Sequence, residues 1–528
     1  MTHRFAKISA WFRVWIAAFV CFLLLLGCSP SYEGIPEPVV SNLKTMQYGG
    51  AWLHAIRAYQ QEEDTLKLKS LYFLLEHMDS HYTLSRNPQT GEVHVEWDTE
   101  TLHPDDVIPH VDQITEVVRT PLQRGEIDFD IYLEYILPYR IAWEPVTPWL
   151  ARAREQYAWV ADSTTSGFSI ENMVTICSMV NDDMAEGFRF GTPPFNARMA
   201  SWEQLLEDKT GDCYTMTQLV AYPLRALGLP VSVDFISTWG DANGGGHAWN
   251  ALITGSEERV PFMGCEKNPP DYDPFLIETE ERRPPIIFRK IFSSNPQSLP
   301  YHSRIQEGDP APGYLLDDNM IDVTDQYLKT ATVRLAANQL RESNQLVYLS
   351  TFSNGNWEPV FWPEQTGAEF VFKKMTTGLL YLPVLYHEPG QADPVGSPFI
   401  LNENGAMTMT SLIPDKAQTV DINIRYTQSK AMDELDVFSR GLEGEEFAAA
   451  MADVQHDRVR STPEPIGWHL YYWDEGHDWK HTAMQTYEDG ELIFENIPSG
   501  ALYRLLPEGQ TTWNDRPFTY EDDKQKWW

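Results

Sequence analysis

The apolar residues of this chain change their period as the sequence proceeds. Between about residues 51 and 200 they recur every three or four positions. Trp52, Ile56 and Tyr59 fall on one face, and Leu68, Leu71, Leu74, Leu75 and Met78 form a second stripe. That is the period of helices packed on one side. Residues 111–119, 127–137, 151–160 and 170–183 read the same way, and the turn-rich residues 88–99 accommodate a short hairpin around Gly91. From about residue 320 the period falls to two. Residues 346–352 and 357–362 flank Ser353-Asn354-Gly355-Asn356, where Asn-Gly predicts a tight hairpin turn. Residues 370–372, 379–386, 411–413 and 420–426 add strands, the last closing the set. Residues 468–473, 492–494 and 501–506 begin a final β module.

Between these regions lies a stretch, residues 201–274, in which both periods meet. Asp212 is a good N-cap, and Cys213 opens a helix continued by Met216, Leu219, Val220, Leu224 and Leu227. Pro223 predicts a kink, and Gly228 with Pro230 ends the helix. Val231, Val233 and Phe235 alternate as a half-buried strand. Residues 239–246 are glycine-rich and polar, the composition of a loop. His247, Trp249, Ala251 and Ile253 alternate again, so His247 opens a strand and shares a face with Trp249. A thiol at a helix start feels the positive end of the dipole, which predicts a lowered pKa and thiolate character. A helix-start Cys and a strand-start His can converge at one sheet edge as nucleophile and base. Taken singly, each reads as a packed Cys and a packed His.

Thr210-Gly211-Asp212-Cys213, Leu224-Arg225-Ala226-Leu227-Gly228-Leu229-Pro230 and Gly246-His247-Ala248-Trp249-Asn250 stand in the order found in the transglutaminase-like thiol enzymes, and at these residues the chain resembles that family. The resemblance implies a papain-like α+β core, a Cys–His–acid triad and acyl-enzyme chemistry on amides. Hydrolysis, deamidation and transamidation are all compatible with it. In one place the pattern is broken. Where the family carries an Asp after its His, this chain has Met263, and a thioether is a poor acceptor for an imidazole N–H. Glu266 is the nearest following carboxylate and the preferred third member, reaching back across Gly264; Asp271 and Asp273 come next. The other reading is a degraded third position and a weak or dead site. Ile136-Leu137-Pro138-Tyr139-Arg140-Ile141 followed by Glu144-Pro145 resembles a segment of exported transglutaminase-like lipoproteins and joins the helical region to the thiol core.

The first residues change the picture of where the protein works. Arg4, Lys7 and Arg13 precede an apolar run over residues 14–26, the layout of a signal peptide. Leu25-Leu26-Gly27-Cys28 looks like a bacterial lipobox. It implies lipidation of Cys28 and attachment to the cell envelope outside the cytoplasm, periplasmic or at the cell surface; an uncleaved anchor with an incidental Cys is the alternative.

The net charge of −36 includes those three basic residues, so the mature chain is more acidic still. With no basic stripe to neutralise phosphates, nucleic acid is not a partner. A second electrostatic grip on an anionic bilayer is excluded on the same ground. Of five Cys, Cys177, Cys213 and Cys265 remain once Cys21 leaves with the signal and Cys28 carries lipid, an odd number. Two buried thiols or a Cys177–Cys265 bridge account for the pair that is not Cys213. The His, Cys and carboxylate spacings show no zinc pattern, so no metal and no cofactor are expected.

The expected fold is α+β: signal peptide 1–27, tether 28–50, helical region 51–200, transglutaminase-like core 201–293, β-sandwich module 320–428 and C-terminal β module 462–528. The irregular, proline-rich residues 294–318 are the expected boundary. The helical region reads as a lid or scaffold, or as cleft lining through Tyr139, Arg140 and Trp202. Trp468, Tyr471, Trp473, Trp479, Trp513, Trp527 and Trp528 crowd the last module, either as its core or as a platform for sugar rings. The expected function is amide-bond cleavage on a peptide or protein through Cys213, His247 and Glu266, with β modules able to deliver the thiol domain to a cell-wall peptide or glycan. The alternative is a binding or scaffold protein that keeps the fold without turnover.

Overall fold

A computed structural model describes residues 32–528 except 164–167, 195–196, 244, 256–257, 278–279, 303–304, 306–308, 341–344, 367, 404–408, 430–436, 438–448, 451–466, 476–477, 487–491 and 511–514. The signal segment, Cys28 and Trp513 lie outside the described residues. No helix among the described residues is long and apolar enough to cross a membrane. The chain is α+β, and it divides into two compact units at Thr115/Glu116.

In the first unit the helices Glu37–Thr45, Gly49–Glu62 and Thr65–His77 bury Val39, Val40, Leu43, Trp52, Ile56, Leu71, Leu74 and Leu75. Asp64 caps the third by accepting from the Lys67 N–H at 3.1 Å. Residues 37–45 were expected to be tether. They are helical because Pro36 and Pro38 stand at its first turn, where a missing N–H costs nothing. The hairpin Tyr82–Arg86/Val93–Trp97 turns around Gly91.

The second unit is organised on a five-stranded antiparallel sheet in the order Met320–Asp322, Phe288–Lys290, Val231–Ile236, His247–Ile253, Arg259–Phe262. The helix Cys213–Ala226 packs on the middle strands, and Trp149–Gln156, Ile170–Gly187 and Trp202–Asp208 pack on that helix. The helices after residue 116 therefore share a unit with the sheet, where the sequence divided the chain at 200/201. Residues 294–318 likewise do not separate domains. Leu299 and Leu315 enter the buried core, and the strand beyond them pairs back as the sheet edge, Phe288 opposite Asp322.

Val231–Ile236 is buried on both faces rather than one. Its polar residues are satisfied internally. Ser232 Oγ donates to Asp234 Oδ1 at 2.8 Å, and Arg289 grips both Asp234 oxygens at 2.8 and 2.7 Å. Removing either member of that ion pair would strand a buried charge.

Two further sheets follow. One pairs Thr330–Ala336, Glu369–Thr376 and Glu364–Thr366; the other joins Asn356–Phe361, Val347–Ser353, Leu379–Glu388, Phe399–Leu401 and Met409–Ser411. Asn354 and Gly355 both sit at positive φ, the two-residue turn that Asn-Gly encodes. These sheets share one apolar core with Phe235, Ala248 and Phe288 of the central sheet, and Cys213 and Tyr214 pack against it.

Asp415–Asn423 does not close this set. It pairs with Ile493–Ser499 of the C-terminal module. That module adds a five-stranded sheet in the order Trp479–Thr486, Gly467–Trp473, Tyr503–Pro507, Phe518–Glu521, Lys524–Trp527. Trp468 and Tyr472 fill its core, whereas Trp473 and Trp528 belong to the larger core, where Trp473 meets Trp357 edge to face at 5.9 Å. Trp468, Trp473 and Trp528 are thus core material, while Tyr471, Trp479 and Trp527 are half-buried.

Candidate active site

The thiol helix begins at Cys213 because Asp212 stops the extended chain there. Its carboxylate accepts from the Thr215 N–H at 3.0 Å, one of the first-turn donors a helix cannot satisfy itself. Arg198 in turn holds Asp212 Oδ2 through Nε at 2.9 Å and Nη2 at 2.5 Å, and its guanidinium covers the Tyr214 ring, 4.3 Å from the centroid.

The histidine strand begins at His247, opposite Ile236. A side chain at Gly246 would come 2.1 Å from the Ile236 carbonyl oxygen, so only glycine lets the two strands close there. The backbone N–H of Ala248, the residue after His247, donates to the Cys213 sulfur, as does the N–H of Tyr214. That contact brings the helix start and the strand start together. Asn250 reinforces it further down the strand, donating Nδ2–H to the Thr217 carbonyl at 3.0 Å and the Ser232 carbonyl at 3.2 Å.

The His247 ring stacks on Trp239 at 6.1 Å and leans on Trp249 at 5.7 Å. Its Nε2 lies 2.8 Å from the Tyr272 hydroxyl. Tyr272 carries no signal in the sequence, because a third triad member is expected to be a carboxylate; it stands between Asp271 and Asp273. Glu266 does not occupy the place expected of it. It is exposed in the tight turn Met263–Lys267, and Asp271 and Asp273 are exposed as well. The turn is fixed from behind by Asn181, whose Oδ1 accepts from the Cys265 N–H at 2.6 Å and whose Nδ2 donates to the Met263 carbonyl at 3.2 Å. Burial pushes the Tyr272 phenol up, and the Glu266 charge adds to it. Met263 is buried, with its sulfur 3.9 Å from the Tyr272 oxygen.

Electrostatics reverse the expected thiolate. Burial pushes the Cys213 thiol up to about 11, and the Asp212 charge adds to it; the Ala248 and Tyr214 N–H groups and Arg198 pull the other way without winning. Burial likewise lowers His247 to about 4. A helix dipole carries only about half a charge, less than desolvating a buried ion costs. At neutral pH the site therefore rests as neutral thiol and neutral imidazole. Cys177 and Cys265 are buried free thiols, and burial raises both.

Two anchors hold the elements in place. Buried Glu144 accepts from the N–H groups of Ile141 and Ala142 at 2.6 and 2.8 Å, from Tyr222 Oη at 2.6 Å and from Gln218 Nε2 at 3.3 Å, so the 136–145 segment grips the thiol helix. Trp202, considered as cleft lining, is fully buried against Tyr222. On the histidine side, buried Arg516 of the C-terminal module donates Nη1–H to the Ala242 carbonyl and Nη2–H to the Gly240 carbonyl, both at 2.7 Å, while its Nε–H bonds the Trp528 carbonyl. Asp241 between them accepts from the Arg283 N–H at 2.9 Å. The loop leading to His247 is thus held by residues far along the chain, which local sequence could not reveal. Compared with models of known protein families and with curated proteins, the chain matches none.

Proposed function

We propose that this chain is a transglutaminase-like thiol enzyme that cleaves amide bonds of peptides or proteins through an acyl-enzyme on Cys213. The observation that carries the reading is the Ala248 N–H on the Cys213 sulfur, which sets the only half-buried thiol among Cys177, Cys213 and Cys265 beside the start of the His247 strand. A neutral imidazole is free to accept a proton. His247 takes the thiol proton as sulfur attacks the amide carbon, and the imidazolium then gives that proton to the departing amine. The Cys213 N–H, unbonded within the helix by its position, suits the oxyanion. Water then cleaves the thioester, releasing the acid and restoring the thiol. Tyr272 orients the ring in place of a carboxylate. The lipobox-like Leu25-Leu26-Gly27-Cys28 supports attachment of this enzyme to the outer side of a bacterial membrane by lipid at Cys28.

The test is acylation of the mature chain by p-nitrophenyl acetate, followed by intact and peptide mass spectrometry. A single acetyl on Cys213 that is absent in Cys213→Ala and much slower in His247→Ala is expected. Labelling that ignores His247, or that falls equally on Cys177 and Cys265, would favour the second reading. That reading, a binding protein retaining the architecture, draws on the neutral resting pair and on a phenol standing where the family carries a carboxylate.

A further inference from the structure

The spacing of His residues predicts no metal site, but strand pairing in the C-terminal module brings two of them together. His469 and Tyr471 lie on the opposite face of Gly467–Trp473 from Trp468, Leu470 and Tyr472, which are buried in the module core. In register, His469 faces Met484 and Tyr471 faces His481 on the edge strand Trp479–Thr486. A β-bulge between Leu470 and Tyr471 draws the diagonal pair closer. His469 Nδ1 and His481 Nε2 come to 3.0 Å, with ring centroids 5.1 Å apart. His481 is exposed, and Met484 is 46 % exposed, a large apolar side chain with a thioether set out on the surface directly across from His469.

We propose that His469, His481 and Met484 form a copper-binding site. Two nitrogens 3.0 Å apart share a point about 2.0 Å from each, the usual metal–imidazole distance. The angle at that point is close to a right angle, nearer to tetragonal copper than to the tetrahedral geometry of zinc. With the proton on His469 Nε2 and on His481 Nδ1, the two facing nitrogens both present a lone pair for a ligand bond. Copper heads the affinity order for divalent ions at nitrogen sites, and the thioether favours it further in the reduced state. The three side chains rise from two paired strands, which fixes their spacing before the ion arrives. The site stands apart from Cys213 in sequence and sheet, and its occupancy does not depend on the proposed acyl chemistry.

The experiment is titration of the mature full chain carrying Cys213→Ser with Cu(II), followed by electron paramagnetic resonance, and with Cu(I) against a chromophoric chelator. One Cu(II) with hyperfine structure from two imidazole nitrogens is expected. His469→Ala and His481→Ala should each weaken it at least tenfold without moving the thermal unfolding midpoint. Met484→Leu should weaken Cu(I) at least tenfold and Cu(II) less. Copper binding that is unchanged in both histidine variants, or no stoichiometric binding at all, overturns the site. Unchanged Cu(I) affinity in Met484→Leu overturns the part assigned to the thioether.

Discussion

The hydroxyl of Tyr272 lies 2.8 Å from Nε2 of His247, and the imidazole therefore takes its orientation from a phenol. Tyr272→Phe should slow acylation of Cys213 by about tenfold or more, by analogy with loss of the third member of a triad. Glu266→Gln, which touches only an exposed carboxylate, should change it by less than about twofold. Rates of acetyl transfer in the two variants check this. Equal losses, or a larger loss in Glu266→Gln, would return the orienting role to the carboxylate.

Burial sets the protonation of the site, and two limbs of pH dependence follow. His247 is lowered from 6.5 to about 4, so between those values the unfolded chain binds a proton that the folded chain refuses. Its contribution to stability is complete above about 6.5 and is lost as the pH falls towards 4. Cys213 is raised from 9.0 to about 11, so the unfolded chain loses a proton first. Its contribution is complete below about 9 and is lost as the pH rises towards 11. In urea unfolding followed from pH 4 to pH 11, His247→Gln should make the acid limb shallower and Cys213→Ala the alkaline limb, with buried His77 supplying part of what remains of the first and Cys177 and Cys265 part of the second.

The same shift governs simple alkylation. Iodoacetamide should label Cys213 slowly near neutral pH, with a rate that climbs through pH 9 to 11 instead of levelling off below 7, because the free thiolate is scarce until then. A plateau below neutral pH, read by mass spectrometry, would establish a resting thiolate–imidazolium pair instead.

Gly245 and Gly246 are neighbours with opposite tolerances. A methyl group at Gly245 meets open space, while one at Gly246 would lie 2.1 Å from the Ile236 carbonyl oxygen. Gly245→Ala should move stability by less than about 0.5 kcal/mol. Gly246→Ala should cost about 2 kcal/mol or more, since the obstacle is backbone that cannot swing aside, and should slow acylation by displacing His247. Denaturant midpoints of the pair decide it.

Arg516→Leu removes the donors of three carbonyls, those of Gly240, Ala242 and Trp528, in a place closed to water. A loss of about 3 kcal/mol or more is expected. The loop 239–246 should become the first site cut in limited proteolysis, and Arg516→Lys should recover little, since an ammonium cannot span the same fork.

The sequence by itself determined the local elements on which the site stands. Asp212 before Cys213 caps a helix whatever surrounds it, Gly228 and Pro230 end it, and alternation from His247 makes a strand whose first residue shares a face with Trp249. The Asn354-Gly355 turn was equally legible, since its dihedral angles are a property of the two residues. Partners remote in sequence were decided only by tertiary structure. Met320–Asp322 reads as the start of a β module but closes the edge of the central sheet, and Asp415–Asn423 leaves its neighbours for Ile493–Ser499, because a strand pairs with whichever edge packing presents to it. His247 meets Tyr272, and not Glu266, because Asn181 pins the intervening turn with the carboxylate exposed. The protonation of Cys213 was misread for the same reason. A helix start is visible in sequence, but the depth at which the fold buries it is not, and desolvation at that depth outweighs the dipole.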